Sequence, residues 1–243
     1  MSNLRDAIVR MALRRPYLYL LVTLVISIVL MEVLVEIAEH TFIKPALQQL
    51  ELQFIAYVQQ FVTPPLTAEV MLVTASGSST FYLLASALVC CWYLYSRQKD
   101  RLYLYLVCLC GGGILNQVLK RIFERVRPDI FPVIAESGYS FPSGHAMGAI
   151  CFYGILAYFA GLGLRSKPLR WGLMAAAGIY ILLIGLSRVY LGVHYPTDIL
   201  AGYAAGATWL FFLYYAASYF LESVIKGAAA VVIKICFGFV YAK

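Results

Sequence analysis

Three short polar stretches in the second half of the chain carry residue types suited to acid–base and anion chemistry. The first, KRIFERVRP, places Lys120 and Arg127 ahead of Pro128. The second, FPSGH, holds Ser143, Gly144 and His145 at the start of an apolar run. The third, SRVYLGVHYPTD, holds Arg188, His194 and Asp198. Three cations suit an anion. A helix N-terminus offers free backbone N–H groups and a positive dipole end, which suits a phosphate, and Gly144 lets the backbone approach an oxyanion closely. Proline favours a first helical turn, so a helix beginning at Pro196 sets Asp198 near His194. A carboxylate on one imidazole nitrogen fixes the tautomer and leaves the other as a nucleophile. Taken singly, each stretch also has a structural reading: interfacial anchoring for the basic residues, a plain helix cap for Ser143, and packing for the histidines.

The elements that must bring these stretches together are read from composition. Of 243 residues, 62% are hydrophobic and only 13% charged, against about 25% charged in soluble domains. With a mean hydropathy of +0.80, this reads as a polytopic membrane protein, all-α, best counted in spans of about 20 residues. The expectation is one membrane-embedded domain over residues 1–243 with its motif core at 120–198. Six transmembrane helices are expected, at about 17–36, 68–95, 102–119, 144–164, 171–189 and 197–221. Residues 40–66 are too polar to span and read as one or two interfacial helices on the outer side, ended by Pro64 and Pro65. Residues 4–13 have the pattern of a short amphipathic helix or a solvated tail. The tail 222–243 reads as interfacial or loosely docked.

The run after Arg5, Arg10, Arg14 and Arg15 is long and has no clear small-residue cleavage site, so a retained first helix fits better than a cleaved signal. Glu32, Glu36 and Glu39 lie near one end of that span, either reaching the interface or lining a lateral opening for lipid. Gly77, Ser78 and Ser79 interrupt the second span, and Gly111, Gly112 and Gly113 lie in the third; small residues let helices approach closely in lipid. The six cysteines, Cys90, Cys91, Cys108, Cys110, Cys151 and Cys236, form no CxxC pair. They read as buried apolar residues rather than zinc ligands or a disulfide framework.

Charge sets the orientation. With the N-terminus inside, 13 of the 19 Lys and Arg residues fall on the inner side, as the positive-inside rule requires. The outer side receives Lys44, Lys120, Arg121, Arg125, Arg127 and Arg188, five of them in the polar stretches, so all three stretches face outward together. The net charge of +7 follows from the same rule. Nucleic-acid binding would need a basic face or a known module, and neither is present.

Together the stretches read Lys-x6-Arg-Pro, Pro-Ser-Gly-His and Ser-Arg-x5-His-x3-Asp. In this order they resemble the three signatures of the type 2 phosphatidic acid phosphatase family of membrane lipid phosphatases, with no departure at a signature position. The resemblance implies phosphate binding by Lys120, Arg127 and Arg188, with oxyanion contacts from Ser143 and the Gly144 backbone. It implies His194 as the nucleophile that becomes phosphohistidine, Asp198 as its partner and His145 as the general acid. It also implies no cofactor or metal; no obligate protein partner is expected. A phosphate monoester carries up to about two charges near neutral pH, which three cations can compensate. Ordinary imidazole pKa values near 6.5 would let His145 be protonated and His194 neutral together, giving a bell-shaped pH–rate profile.

Expected substrates are phosphatidylglycerophosphate, undecaprenyl pyrophosphate or phosphatidic acid at the outer (periplasmic) face of a bacterial cell membrane, with both termini cytoplasmic. Lipid A phosphatase activity and lipid-to-lipid phosphate transfer fit the same site. The vanadium haloperoxidases share the motifs, but six spans argue against that chemistry. A non-enzymatic anion or lipid transporter is the alternative of another class.

Overall fold

In a computed structural model, the structure describes residues 45–130 and 132–214, with isolated helical positions at 25, 28, 29, 32, 33, 36 and 216. The expectations for residues 4–13, for the tail 222–243, for Glu39 and for Cys236 lie outside the described residues, as does most of the span at 17–36. Glu32 and Glu36 are both exposed.

All regular structure among the described residues is helical. Helix α1 covers Pro45–Gln59, α2 Pro64–Ala75, α3 Ser79–Tyr95 and α4 Lys99–Phe123. Then come α5 (Gly144–Ala149), a π-helical turn (Ile150–Gly154) and α6 (Ile155–Gly163), which continue one another, followed by α7 (Lys167–Tyr190). A last helix, α8, covers 196–214.

Among the described residues, three helical stretches are long and apolar enough to cross a membrane: α4, the α5–α6 run and α7. A fourth is obtained if α2 and α3, bent by 50°, count as one span. The distribution of polarity agrees. Leu72, Leu83, Leu88, Ile114 and Trp171 are each more than 60% exposed, whereas Glu51, Arg125, Arg188, His194 and Asp198 are all buried. A polar interior inside an apolar exterior suits lipid as the surrounding solvent.

Local chemistry explains the differences from the expected boundaries. Pro64 and Pro65 do not only end the preceding segment; they open α2, after Thr63 in extended conformation, where a missing N–H costs nothing. The second span breaks at Ser76–Ser78. There Ser78 caps α3 by accepting from Phe81 N at 3.1 Å. The turn expected at 165–170 is shorter, because Ser166 caps α7 and a proline occupies its first turn. Helix α4 runs past the expected 119 and ends at Glu124, whose φ of 45° stops the helix in the left-handed region. Lys120 therefore sits on its last turn.

Small residues mark the crossings. A Cβ at Gly111 would meet the Trp209 ring and one at Gly112 the Cys151 sulfur, whereas Gly113 faces open space. The cysteines divide: Cys108 and Cys151 are buried, Cys90 is intermediate, and Cys91 and Cys110 are exposed. Helix α7 meets α8 closely at Gly185, where an added Cβ would collide with the Tyr203 hydroxyl and lie 2.6 Å from Ile199 Cγ2. That hydroxyl cannot retreat freely, because it is held against the carbonyls of Ile181 at 3.0 Å and Leu182 at 3.1 Å. Gly185→Ala is expected to destabilise the protein by about 1–3 kcal/mol through overpacking. A lower thermal midpoint in detergent checks this; an unchanged midpoint would contradict so close a crossing.

Candidate active site

The three polar stretches converge where the end of α4, the loop 124–143, the start of α5, the end of α7 and the start of α8 meet. The loop follows from its sequence: Pro128 and Pro132 keep it out of a helix, and its carbonyls face the basic residues. Arg127 donates to Gly138 O at 3.0 Å, Ser137 O at 3.3 Å, Tyr139 O at 3.4 Å and Val193 O at 2.8 Å. Lys120 donates to Tyr139 O.

Arg188, in the last turn of α7, is 2% exposed. Its NH1 donates to Thr74 Oγ1 at 2.8 Å, and its NH2 pairs with Glu136. Its buried Nε has no hydrogen-bond partner among the described residues. An unsatisfied donor on a buried cation is costly, and it is the feature expected where an anion completes the coordination. Glu136 also lies 3.6 Å from Arg127, so one carboxylate faces two of the cations.

Helix α8 begins at Pro196, as expected, and Asp198 falls in its first turn. Asp198 Oδ2 lies 3.2 Å from His194 Nδ1 and accepts from Tyr195 N at 2.9 Å. This network assigns the proton of His194 to Nδ1. The lone pair of Nε2 then accepts from Arg127 NH1 at 3.1 Å. Gly192, with φ of 72°, allows the turn from α7 towards His194. A Cβ there would meet Gln59 at 2.6 Å and the Pro132 backbone at 3.2 Å.

His194 is fully buried, and burial lowers its pKa from 6.5 to about 3, against the opposing hydrogen bond and charge of Asp198 and with further lowering by Arg127 and Arg188. The imidazole is therefore neutral at physiological pH. This moves its protonation well below the ordinary value on which the bell-shaped profile was founded.

Ser143 is the N-cap of α5: its hydroxyl accepts from Ala146 N at 3.4 Å, and its N–H donates to Asp198 O at 2.9 Å. The cap therefore ties the second stretch to the third. Gly144 leaves room for Asn116, whose Oδ1 would lie 3.1 Å from an added Cβ. His145 packs beside Gly77, where a Cβ would approach its ring at 3.0 Å, and it lies in electrostatic range of Arg127 and Lys120. All eight expected residues are thus gathered at one end of the bundle.

Several others at the site were not singled out from sequence. Glu51, Arg125 and Thr197 form a buried group against Asp198, Glu136 faces Arg127 and Arg188, and Thr74 holds Arg188. One signal was present for Glu51, the only carboxylate between residues 40 and 66.

Comparison with known proteins gives the family. The model of the PAP2 superfamily matches residues 101–222. Phosphatidylglycerophosphatase B of Bacillus subtilis is 41% identical over 155 residues, covering 63% of this chain and 75% of that protein. A lipid A 1-phosphatase of Rhizobium johnstonii is 36% identical, over 40% of this chain and 39% of that protein. The crystal structure of a transmembrane PAP2-type phosphatidylglycerolphosphate phosphatase from Bacillus subtilis superposes with a TM-score of 0.70 at 31% identity, covering 77% of this chain and 93% of that one. The chain belongs to the PAP2 superfamily, and it is a membrane phosphatase.

The chain has three histidines, so histidine-selective NMR can follow them individually. One signal, absent in His194→Ala, is expected to stay neutral from pH 8 down to about 4.5, given a pKa of about 3. Titration of that signal near pH 6.5 would contradict the buried, neutral imidazole.

Proposed function

We propose that this protein hydrolyses the phosphate of a membrane lipid headgroup through a phosphohistidine on His194. The observation that carries this reading is the His194–Asp198 pair, with Nδ1 at 3.2 Å from the carboxylate and Nε2 at 3.1 Å from Arg127. A neutral nucleophile faces a cation that a phosphate oxygen would engage.

In the first step, Nε2 attacks phosphorus. An N–P bond forms, the P–O bond to the lipid breaks, and His145 gives its proton to the leaving oxygen. In the second, water attacks phosphorus and passes a proton to His145. The N–P bond breaks and phosphate leaves. Lys120, Arg127 and Arg188 compensate the charge spread over the equatorial oxygens, with Ser143 and the Gly144 N–H as further donors. No step calls on a metal.

Phosphatidylglycerophosphate is the preferred substrate in this reading, with undecaprenyl pyrophosphate and phosphatidic acid also accepted. The B. subtilis relative and the superposing crystal structure, both phosphatidylglycerophosphate phosphatases by name, support the first. A single domain of six spans, both termini cytoplasmic and the site at the outer face of the cell membrane, is supported by the positive-inside count. Helical positions between 25 and 36 and helix α8 at 196–214 also fit a first and a sixth span. Helix α1 suits an interfacial position: Leu50, Phe54 and Tyr57 are exposed, while Glu51 and Ile55 are buried.

Phosphate release by purified protein in detergent and excess EDTA tests the proposal, using a panel of the three lipids and lipid A. Release is expected from phosphatidylglycerophosphate and abolished in His194→Ala. Full activity in the variant would remove the nucleophile assignment. Loss of activity in EDTA that Mg²⁺ restores would contradict the metal-free route. Transfer of phosphate to an added acceptor lipid instead of water would make the protein a phosphotransferase.

A further inference from the structure

A buried ion-pair group behind Asp198 is not used by the chemistry above. Asp198 Oδ1, the oxygen turned away from His194, accepts from Arg125 NH1 at 2.5 Å. The same NH1 donates to Thr197 Oγ1 at 2.9 Å, and NH2 donates to Glu51 Oε2 at 2.6 Å. The other oxygen of Glu51 accepts from Thr197 N at 3.0 Å and Thr197 Oγ1 at 2.5 Å. The Arg125 guanidinium also lies over the Tyr195 ring, 3.8 Å from its centre. Arg125 and Glu51 are 8% and 4% exposed.

A cation held on four sides has little freedom, and a buried pair of this kind is weak evidence of stability by itself. Its placement is what matters: it ends on the one carboxylate that faces the His194 ring. We infer that Arg125, anchored by Glu51 and Thr197, is a positioning residue that sets Asp198, and through it the His194 ring, for attack on phosphorus. Helix α1 therefore contributes to turnover through Glu51 without touching substrate. The inference rests on His194 being the nucleophile.

The groups that face the His194–Asp198 pair are Arg125 and Arg127 from the loop, Lys120 from α4, Arg188 from α7 and the Tyr195 N–H. Removing Arg125 takes one positive charge from this set. A proton on the pair is then opposed less, so the pair takes up an inactivating proton at higher pH than in the wild type. Lys120, Arg127 and Arg188 stay in place to bind phosphate.

The test uses the full-length protein in detergent with a short-chain phosphatidylglycerophosphate, comparing Arg125→Gln, Arg125→Lys, Glu51→Gln and His194→Ala. Arg125→Gln is expected to lower kcat about 10- to 100-fold, the range found when an outer partner that orients a metal-bound histidine is lost, with KM within about two-fold. Its His194 NMR signal is expected to begin titrating at higher pH, and Arg125→Lys to recover part of the rate. Glu51→Gln, which keeps Arg125 but frees it, is expected to lower kcat with KM retained, and it decides the matter if Arg125→Gln does not fold. A purely structural bolt would lower the thermal midpoint but leave kcat per folded molecule and the His194 titration unchanged; that result in Arg125→Gln, or unchanged kcat in Glu51→Gln, overturns the inference. An inactive His194→Ala beside a fully active Arg125→Gln sinks the positioning role alone, whereas an active His194→Ala sinks the phosphohistidine reading itself.

Discussion

Three cations share one end of a helical bundle, and their mutual repulsion is the constraint on which the rest of the structure depends. Lys120 is repelled by Arg127 and Arg188, and Arg188 by Arg127. In a weakly polar interior such repulsion is screened far less than in water. The loop 124–143 answers it with carbonyls on Arg127 and Lys120 and with the carboxylate of Glu136. The cations are thereby fixed in place by protein groups alone, the preorganisation that electrostatic stabilisation of a developing negative charge requires.

The same repulsion acts on His194. A neutral imidazole adds no charge to the cluster, and burial beside two guanidiniums keeps it neutral. Asp198 fixes which nitrogen carries the proton. The electrostatics of the cation cluster thus also keep the His194 ring unprotonated. Around this polar centre the helices present leucine and other large apolar side chains outward, as a surrounding of lipid requires.

Much of this was readable from the sequence, and the reason is physical. Lys120, Arg127, Ser143, Gly144, His145, Arg188, His194 and Asp198 interrupt apolar runs, and polar residues are costly in such runs unless they have a task. Pro196 marked the start of α8, so the His194–Asp198 contact followed from helical geometry. The groups that hold those residues were less visible. Arg125 lies in the same basic stretch as Arg127 and differs only in which way the folded loop turns it. Glu51 lies far away in sequence, and only the packing of α1 on the start of α8 brings it to Thr197. Helix boundaries shifted where a cap or proline outweighed hydropathy, as at Pro64, Ser166 and Glu124. The pKa of His194 could not be read at all, since burial of a single side chain is a property of the whole fold.

The most direct measurement is to trap the covalent intermediate. Enzyme mixed with a lipid carrying ³²P in its terminal phosphate and quenched in base within one turnover should retain acid-labile, base-stable label on the peptide that contains His194. The same experiment on His194→Ala should leave no label. Label retained by the variant, label on another peptide, or single-turnover hydrolysis with no labelled enzyme at any quench time would contradict the account.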